Sequence, residues 1–109
     1  MDSRFSVDSE GMPFVRSGFP VVDQVLTYER KHLGEVVDAI RDVRDGRRSK
    51  WHYGYHSGGF ELDRHGALVY SDWDSSTDEL PLDYLEDLIQ RFLAFRPVRP
   101  PSQRRHGPR

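Results

Sequence analysis

Two segments of the 109-residue chain repeat one pattern, and this repeat constrains the fold more than any other feature. Residues 5–15 and 60–70 both follow Phe-x-[Val/Leu]-Asp-x-x-Gly-x-x-apolar-apolar. Alternating apolar residues on either side of an Asp-x-x-Gly turn are typical of a β-hairpin, because Asp favours turns and Gly tolerates positive φ. The sequence therefore predicts two hairpins, one near the N-terminus and one in the second half of the chain.

The hairpin pattern also predicts which side chains are buried. If 64–66 is a three-residue turn with Gly66 at positive φ, Asp63 faces Ala67. The strand positions that alternate with the charged residues then form one apolar face, which we expect to be buried. With the corresponding positions of the first hairpin, the expected buried residues are Phe5, Val7, Phe60, Leu62, Leu68 and Tyr70.

Two other segments have helical periodicity. Apolar residues recur three and four positions apart from Leu33 to Val43, and Gly46 is a stop signal for that helix. The same spacing returns from Leu85 to Phe92, after a proline at position 81 that suits the first turn of a helix. Residues 19–28 are ambiguous, because Val22, Leu26 and Glu29 fit helical spacing poorly and residues 25–28 have strand character.

The assembled order of elements is ββαβββα, since an aromatic strand at 51–55 precedes the second hairpin. We predict one α+β domain over residues 1–96, with two helices on one face of an antiparallel sheet that is built from two hairpins plus one strand. Residues 97–109 contain four prolines and four arginines. For this segment we predict a basic, disordered tail.

Composition excludes several classes of protein. The chain has no cysteine, which excludes disulfides, thiolate metal sites and cysteine nucleophiles. No stretch approaches the roughly 18 consecutive apolar residues of a membrane span, and no signal peptide is indicated, so we expect a cytoplasmic protein. The net charge is −2, yet four of the 16 Lys and Arg residues and none of the 18 acidic residues follow Arg96. An acidic body therefore carries a basic tail.

The histidines are the first candidates for chemistry. His52 and His56 are four residues apart, which on a helix would place both on one face as metal ligands. The glycines around them favour a strand, on which the two rings lie roughly 13 Å apart along one face. His65 falls in the predicted turn. We predict no metal site, no cofactor and no catalytic residue, because nothing fixes an acid and a base at hydrogen-bond distance. A small hydrolase with His52 or His56 as the base is a hypothesis supported by residue type alone.

The loop at 72–79 resembles the start of a calcium-binding loop, with oxygen-bearing side chains at alternate positions. Thr77 stands where such a loop needs Gly, and Pro81 and Asp83 replace its usual late ligands. We interpret the segment as a solvated loop whose last acids, Asp78 and Glu79, favour the start of the following helix. Weak calcium binding stays an open alternative.

The aromatic strand has two interpretations. Its rings at 51, 53 and 55 share one face and form either part of the core or a binding surface, which would be a stacking platform for bases or a cation cage. We favour the core, because a chain with so few aliphatic residues needs these rings. A basic loop directly precedes the strand and supports a nucleic-acid site, which the acidic body opposes. The alternative nucleic-acid residues are Arg47, Arg48, Lys50 and Trp51, together with the arginines of the tail.

The most distinctive surface feature is an acidic run from Asp72 to Asp87 that contains no Lys or Arg. It serves either as a solvated face or as a docking surface for a basic partner, with two aromatic anchors among the charges. The candidate partner-binding residues are Asp72, Trp73, Asp74, Asp78, Glu79, Asp83, Tyr84 and Asp87.

In architecture, and in the segment 59–74 followed by an acidic helix, the chain resembles the immunity proteins of bacterial polymorphic toxin systems. Those proteins neutralise a cognate toxin, often a basic nuclease, by covering its active site. The resemblance implies a non-catalytic cytosolic inhibitor with a basic protein partner, and it leaves the basic tail unexplained. The alternative function is a nucleic-acid or ribonucleoprotein accessory protein. Charge reversal at Asp74 and Asp87 is expected to abolish binding to a basic protein.

Overall fold

The computed structural model describes residues 3–96, which form a two-stranded sheet, a four-stranded sheet and three α-helices. This confirms the predicted α+β class, and the predicted elements keep their order, with one helix and one strand added. The predicted tail, 97–109, lies outside the described residues. In chain order the elements are β1 (Phe5–Val7), β2 (Pro13–Val15), α1 (Pro20–Tyr28), α2 (Leu33–Arg44), β3 (Lys50–Gly54), β4 (Gly58–Asp63), β5 (Gly66–Ser71), β6 (Thr77–Leu80) and α3 (Leu82–Ala94), with a 3-10 turn at Arg30–His32.

The two predicted hairpins belong to different sheets. β1 and β2 pair only with each other among the described residues, whereas β3, β4, β5 and β6 form one antiparallel sheet in chain order. Strands of three residues do not form a stable hairpin alone. The small sheet is held by packing, since the ring of Phe5 stacks on Phe92 at 5.8 Å and meets Phe95 at 5.9 Å between centroids.

The predicted register of the second hairpin is wrong by one residue. The turn has two residues, and Asp63 pairs with Gly66 rather than with Ala67. Gly66, at φ +151°, continues β5 instead of closing the turn, and a Cβ there would lie 3.1 Å from the carbonyl oxygen of Leu80 on β6. Ala67, Val69 and Ser71 are buried in place of Leu68 and Tyr70, and Val7 in the first hairpin is 37% exposed although Phe5 is buried as expected.

Tyr70 instead lies on the sheet face that bears no helix, where it covers two glycines. A Cβ at Gly59 would clash with the Tyr70 ring, and one at Gly54 would lie 3.0 Å from its hydroxyl oxygen. The same hydroxyl is 2.9 Å from Nε2 of His52. An aromatic side chain that covers strand glycines replaces the packing those residues lack. Tyr70 is thus half-buried because its ring packs over the backbone of one glycine on β3 and one on β4.

The three helices pack on the other face of the four-stranded sheet and enclose one apolar core. Pro81 is the N-cap residue of α3 and stands just before the first turn in which it was predicted, and Gly46, at φ +83°, follows the end of α2 as its stop signal. Among residues 3–96, no helix is long and apolar enough to cross a membrane. The largest fully buried side chains of the core are Leu26, Leu33, Ile40, Phe60, Leu62, Leu85, Leu88, Ile89 and Phe92.

Candidate functional site

The acidic run is divided among three structural environments. Residues 72–76 form the loop between β5 and β6, and this loop is shorter than predicted because β6 begins at Thr77. Asp78 and Glu79 lie on β6, with Asp78 on the face toward the helices and Glu79 on the open face. The remaining candidate residues, Asp83, Tyr84 and Asp87, lie on α3.

The carboxylate of Asp78 is used inside the protein. Its Oδ2 accepts hydrogen bonds from the backbone N–H groups of Val21, at 2.8 Å, and Val22, at 3.2 Å. These are free donors of the first turn of α1, whose N-cap residue, Phe19, makes no side-chain cap. Asp78 therefore caps a helix from 57 positions further along the chain. This role, rather than partner binding, accounts for its position.

Arginines balance most of the acidic face of α3. Nη1 of Arg44 contacts Asp83 at 2.9 Å and Glu86 at 2.5 Å, and Asp87 pairs with Arg91 at 2.9 Å. The hydrogen bond from Arg44 holds the pKa of Glu86 below its usual value. Exposed pairs of this kind add little stability. They do reduce the net negative charge that α3 presents to a partner.

Tyr84, the second predicted aromatic anchor, is partly buried against the start of α1. Its ring meets that of Phe19 with the centroids 5.8 Å apart and an interplanar angle of 55°. This contact fixes α3 against the residue that precedes α1. Tyr84 therefore supports the fold and offers a partner only part of its surface.

Trp73 is the exposed aromatic anchor of the loop, and it contacts a second exposed ring. Its side chain is 56% exposed and meets Tyr28, which is 62% exposed, edge to face at 5.0 Å between centroids. Asp72 and Asp74 flank the indole in sequence, and both are exposed. We name this surface, formed by Tyr28, Asp72, Trp73 and Asp74, the aromatic–acidic patch. Sequence reasoning missed Tyr28, because residues 19–28 showed no clear period.

Internal hydrogen bonds fix the loop that carries the patch. The backbone N–H of Asp72 donates to the carbonyl of Ser57 at 3.0 Å, and that of Trp73 donates to Oγ of Ser71 at 3.1 Å. The carboxylate of Asp74 accepts from the N–H and the hydroxyl of Ser76, which lowers its pKa. A fixed loop presents its anchor with little loss of conformational entropy on binding.

The basic loop of the alternative nucleic-acid site is largely neutralised. Arg47 contacts Asp42 at 2.9 Å and Asp45 at 3.3 Å, and Arg48 contacts Asp42 at 3.4 Å. The hydrogen bond from Arg47 lowers the pKa of Asp42. A phosphate would have to displace these carboxylates from the arginines. Lys50, on β3, lies directly opposite Asp63 on β4.

None of the three rings of the predicted aromatic strand is fully buried, and β3 ends at Gly54, before Tyr55. Trp51 and Tyr55 pack against the core, and Tyr55 donates its hydroxyl to Glu35 at 2.8 Å. Burial, followed by that bond to a carboxylate, raises the pKa of Tyr55. Tyr53 stacks on Trp51 at 6.0 Å yet stays 52% exposed. The strand thus offers one open ring rather than a platform of three.

The histidines are not gathered into a site. His52 contacts Tyr70, His56 follows the end of β3, and His65 lies in the turn between β4 and β5. In the described part of the chain, no group of three or more His, Asp or Glu side chains is arranged to hold a metal ion. Two carboxylates of the segment that resembles a calcium-binding loop already accept hydrogen bonds within the protein. Asp74 accepts from Ser76, and Asp78 caps α1.

A buried carboxylate that sequence reasoning missed serves the fold. Glu29 is 4% exposed, and its Oε2 accepts from the N–H and the hydroxyl of Ser57 at 2.9 and 2.8 Å. Close by, the side chain of Gln24 donates to Oγ of Ser71 at 2.9 Å. These bonds join the end of α1 to the β3–β4 turn and to β5. No sequence motif marks Glu29.

The aromatic–acidic patch is the candidate site that the geometry supports best. Tyr28 and Trp73 are the two most exposed aromatic side chains of residues 3–96, and they are in contact. The other predicted partner-binding residues are paired with arginines, turned inward, packed against α1 or, for Glu79, placed on the open sheet face.

Comparison with protein-family models, with curated proteins and with solved structures finds no match to this chain.

Proposed function

We propose that this protein is a non-catalytic, cytosolic protein-binding module that docks the β5–β6 loop and the exposed face of α3 on a basic partner. The observation that carries the proposal is the contact between Trp73 and Tyr28, two rings that are more than half exposed, at a loop that also carries two exposed aspartates. Tryptophan and tyrosine dominate the binding energy of protein interfaces, because they bury a large area at a small entropic cost.

The acidic residues of the loop and those of α3 are expected to play different roles in binding. Asp72 and Asp74 flank Trp73 in the exposed loop, where they would meet cationic side chains of a partner. Asp83 and Asp87 lie on α3, where arginines already neutralise them in part. Charges at the rim of an interface act mainly on the association rate, whereas a central aromatic anchor acts on the dissociation rate. The loop therefore supplies the affinity, and α3 supplies the orientation.

We further propose that the partner is a toxin and that this protein is its immunity protein. The support is the resemblance in architecture and in segment 59–74, together with the sign of the charge. A nuclease that binds phosphate presents a positive active-site surface. The carboxylates of the aromatic–acidic patch are complementary to such a surface and would compete with nucleic acid for it.

The test begins with the products of the genes on either side of this one. We expect one of them to be toxic when expressed alone and harmless when this protein is expressed with it. Trp73→Ala should weaken that complex by at least about 30-fold, which corresponds to the roughly 2 kcal/mol of an aromatic hot spot. Asp72→Lys should slow association most strongly at low salt.

Glu10→Lys is the matched control, because it makes the same charge change in an exposed turn of the first hairpin. Equal affinities of the Trp73→Ala, Asp72→Lys and Glu10→Lys variants would refute the placement of the surface. A mobility shift of single-stranded RNA that weakens steeply with salt and persists in Trp73→Ala would instead support the nucleic-acid alternative.

A further inference from the structure

A second surface of opposite charge lies on the other side of Tyr28. It is an open cleft of about 870 Å³ between the first hairpin, the end of α1 and the end of α3. Three of its lining residues are cations. Among residues 3–96, no Asp or Glu lines the cleft. We name it the cationic cleft. Its charged and principal apolar residues are Arg30, Lys31, Arg96, Met12, Leu93 and Phe95.

Two guanidinium groups converge at the end of α3. Arg30 donates from Nη2 to the carbonyl oxygens of Phe92 and Phe95, each at 3.0 Å, and Arg96 donates to those of Leu93 and Phe95. The C-terminus of a helix carries only about half a negative charge. Two cations therefore leave a net positive charge at this end of the cleft.

The remaining positive charge has no internal counter-charge. Lys31 is exposed and makes no ion pair with the described residues. Nε of Arg30 is buried without a hydrogen-bond partner in that same part of the chain. Burial and, after it, the neighbouring Arg96 lower the pKa of Arg30. An anion in the cleft would relieve this repulsion.

The rest of the lining is mainly apolar, with Thr27 as a polar member, and it includes free aliphatic surface. Met12 is 59% exposed over the cleft, and Leu93 is only partly buried. The ring of Phe95 packs against that of Phe5, so Tyr28 is the exposed ring of the lining. An aliphatic side chain next to a carboxylate fits this combination of apolar surface and cations.

We propose that the cationic cleft binds an acidic peptide segment of a protein partner, with glutamate or aspartate carboxylates at Lys31 and Arg96 and an aliphatic side chain against Met12 and Leu93. This goes beyond the proposed function, since the two surfaces have opposite charge and share only Tyr28. The protein then holds a basic surface with one side of Tyr28 and an acidic segment with the other.

Fluorescence polarisation with the full chain tests this proposal. The probe is a fluorescein-labelled octapeptide in which glutamate and leucine alternate, and the control peptide carries lysine in place of glutamate. We expect only the acidic peptide to bind. Lys31→Glu should weaken its binding at least about tenfold, because a like charge then faces the ligand. Met12→Ser should also weaken it, through the lost apolar contact.

Lys50→Glu is the matched control, since it makes the same charge reversal at the far edge of the four-stranded sheet. Equal loss in Lys31→Glu and Lys50→Glu would overturn the proposal, as would the absence of binding to the acidic peptide or tighter binding of an RNA oligonucleotide. Asp72→Lys, which alters the aromatic–acidic patch, should leave peptide binding unchanged. The two proposals therefore fail independently.

Discussion

Removal of the Asp78 carboxylate tests whether this residue serves the fold or a partner. The carboxylate receives two backbone N–H groups at the start of α1, and both belong to buried residues, Val21 and Val22. In Asp78→Ala these donors lose their acceptor in a place that water reaches poorly. A helix cap contributes about 0.5–2 kcal/mol, and a negative charge at a helix N-terminus contributes about 0.3–1 kcal/mol more.

We therefore expect Asp78→Ala to lower the free energy of unfolding by about 2 kcal/mol. For a domain of this size that corresponds to a fall of about 8–16 °C in Tm. Asp78→Asn keeps an oxygen acceptor and loses the charge, so its cost should be nearer 0.5 kcal/mol, the helix-dipole contribution alone. Glu79→Ala, one position along β6 on the open face, is the control and should change stability by less than about 0.5 kcal/mol.

Urea unfolding followed by far-ultraviolet circular dichroism measures all three variants. Wild type and Glu79→Ala should unfold at the same, highest urea concentration. Asp78→Asn should unfold at a lower concentration and Asp78→Ala at the lowest. Equal midpoints for Asp78→Ala and Glu79→Ala would refute the capping role and return Asp78 to the candidate docking surface. Affinity for the partner, measured well below the transition, should be unchanged in Asp78→Asn.

Two further predictions concern packing and pH. Gly58→Ala should cost about 3 kcal/mol or more in urea unfolding, because its Cβ would clash with the Tyr70 carbonyl, whereas Gly34→Ala in an open position of α2 should stabilise by up to about 1 kcal/mol; equal stabilities would contradict this. Arg44 lowers the folded pKa of Glu86, so this carboxylate stabilises the protein above its unfolded value of 4.5, and the stabilisation is lost as the pH falls through the folded pKa. The difference in unfolding free energy between wild type and Glu86→Gln should therefore shrink below pH 4.5, and a difference independent of pH would count against the pairing.

Elements whose signal is local could be predicted from the sequence. The periodicity from Leu33 to Val43, together with Gly46 and Pro81, located α2 and the start of α3. β6 could not be found in this way, because Thr77–Leu80 is mostly polar and becomes a strand only by pairing with β5. Gly66, which the pattern assigned to the turn, pairs with Asp63 in β5, and the backbone of Leu80 on β6 passes close to it.

α1 was missed for a different reason. Pro20–Tyr28 is rich in valine, which favours strands, and its helical pattern is obscured because Val21, Val22, Val25 and Leu26 are all buried. A helix forms because Pro20 fits its first turn and the cap arrives from β6. Burial by the rest of the fold thus decided the conformation of a segment whose own propensity was divided.

The candidate site was predictable in composition but not in geometry. The sequence located the loop and its exposed Trp73, whose role stays a prediction. It did not show that Tyr28 lies beside that ring or that Arg44 neutralises acids of α3, because these contacts join positions far apart in the chain. Side-chain chemistry could be read along the sequence, whereas pairing required the fold.

The small sheet formed by β1 and β2 has a consequence for hydrogen exchange. Its side chains Phe5 and Val15 pack into the core, and the N–H of Val15 donates to Oγ1 of Thr27. Among the described residues it shares no strand pairing with the four-stranded sheet, so it can open without breaking that sheet. Its amide protons should exchange through such local opening, well before global unfolding. Because Met12 and Pro13 line the cationic cleft, each opening also widens the cleft. A ligand held there would slow exchange in a hairpin that, within residues 3–96, pairs with no strand of the four-stranded sheet.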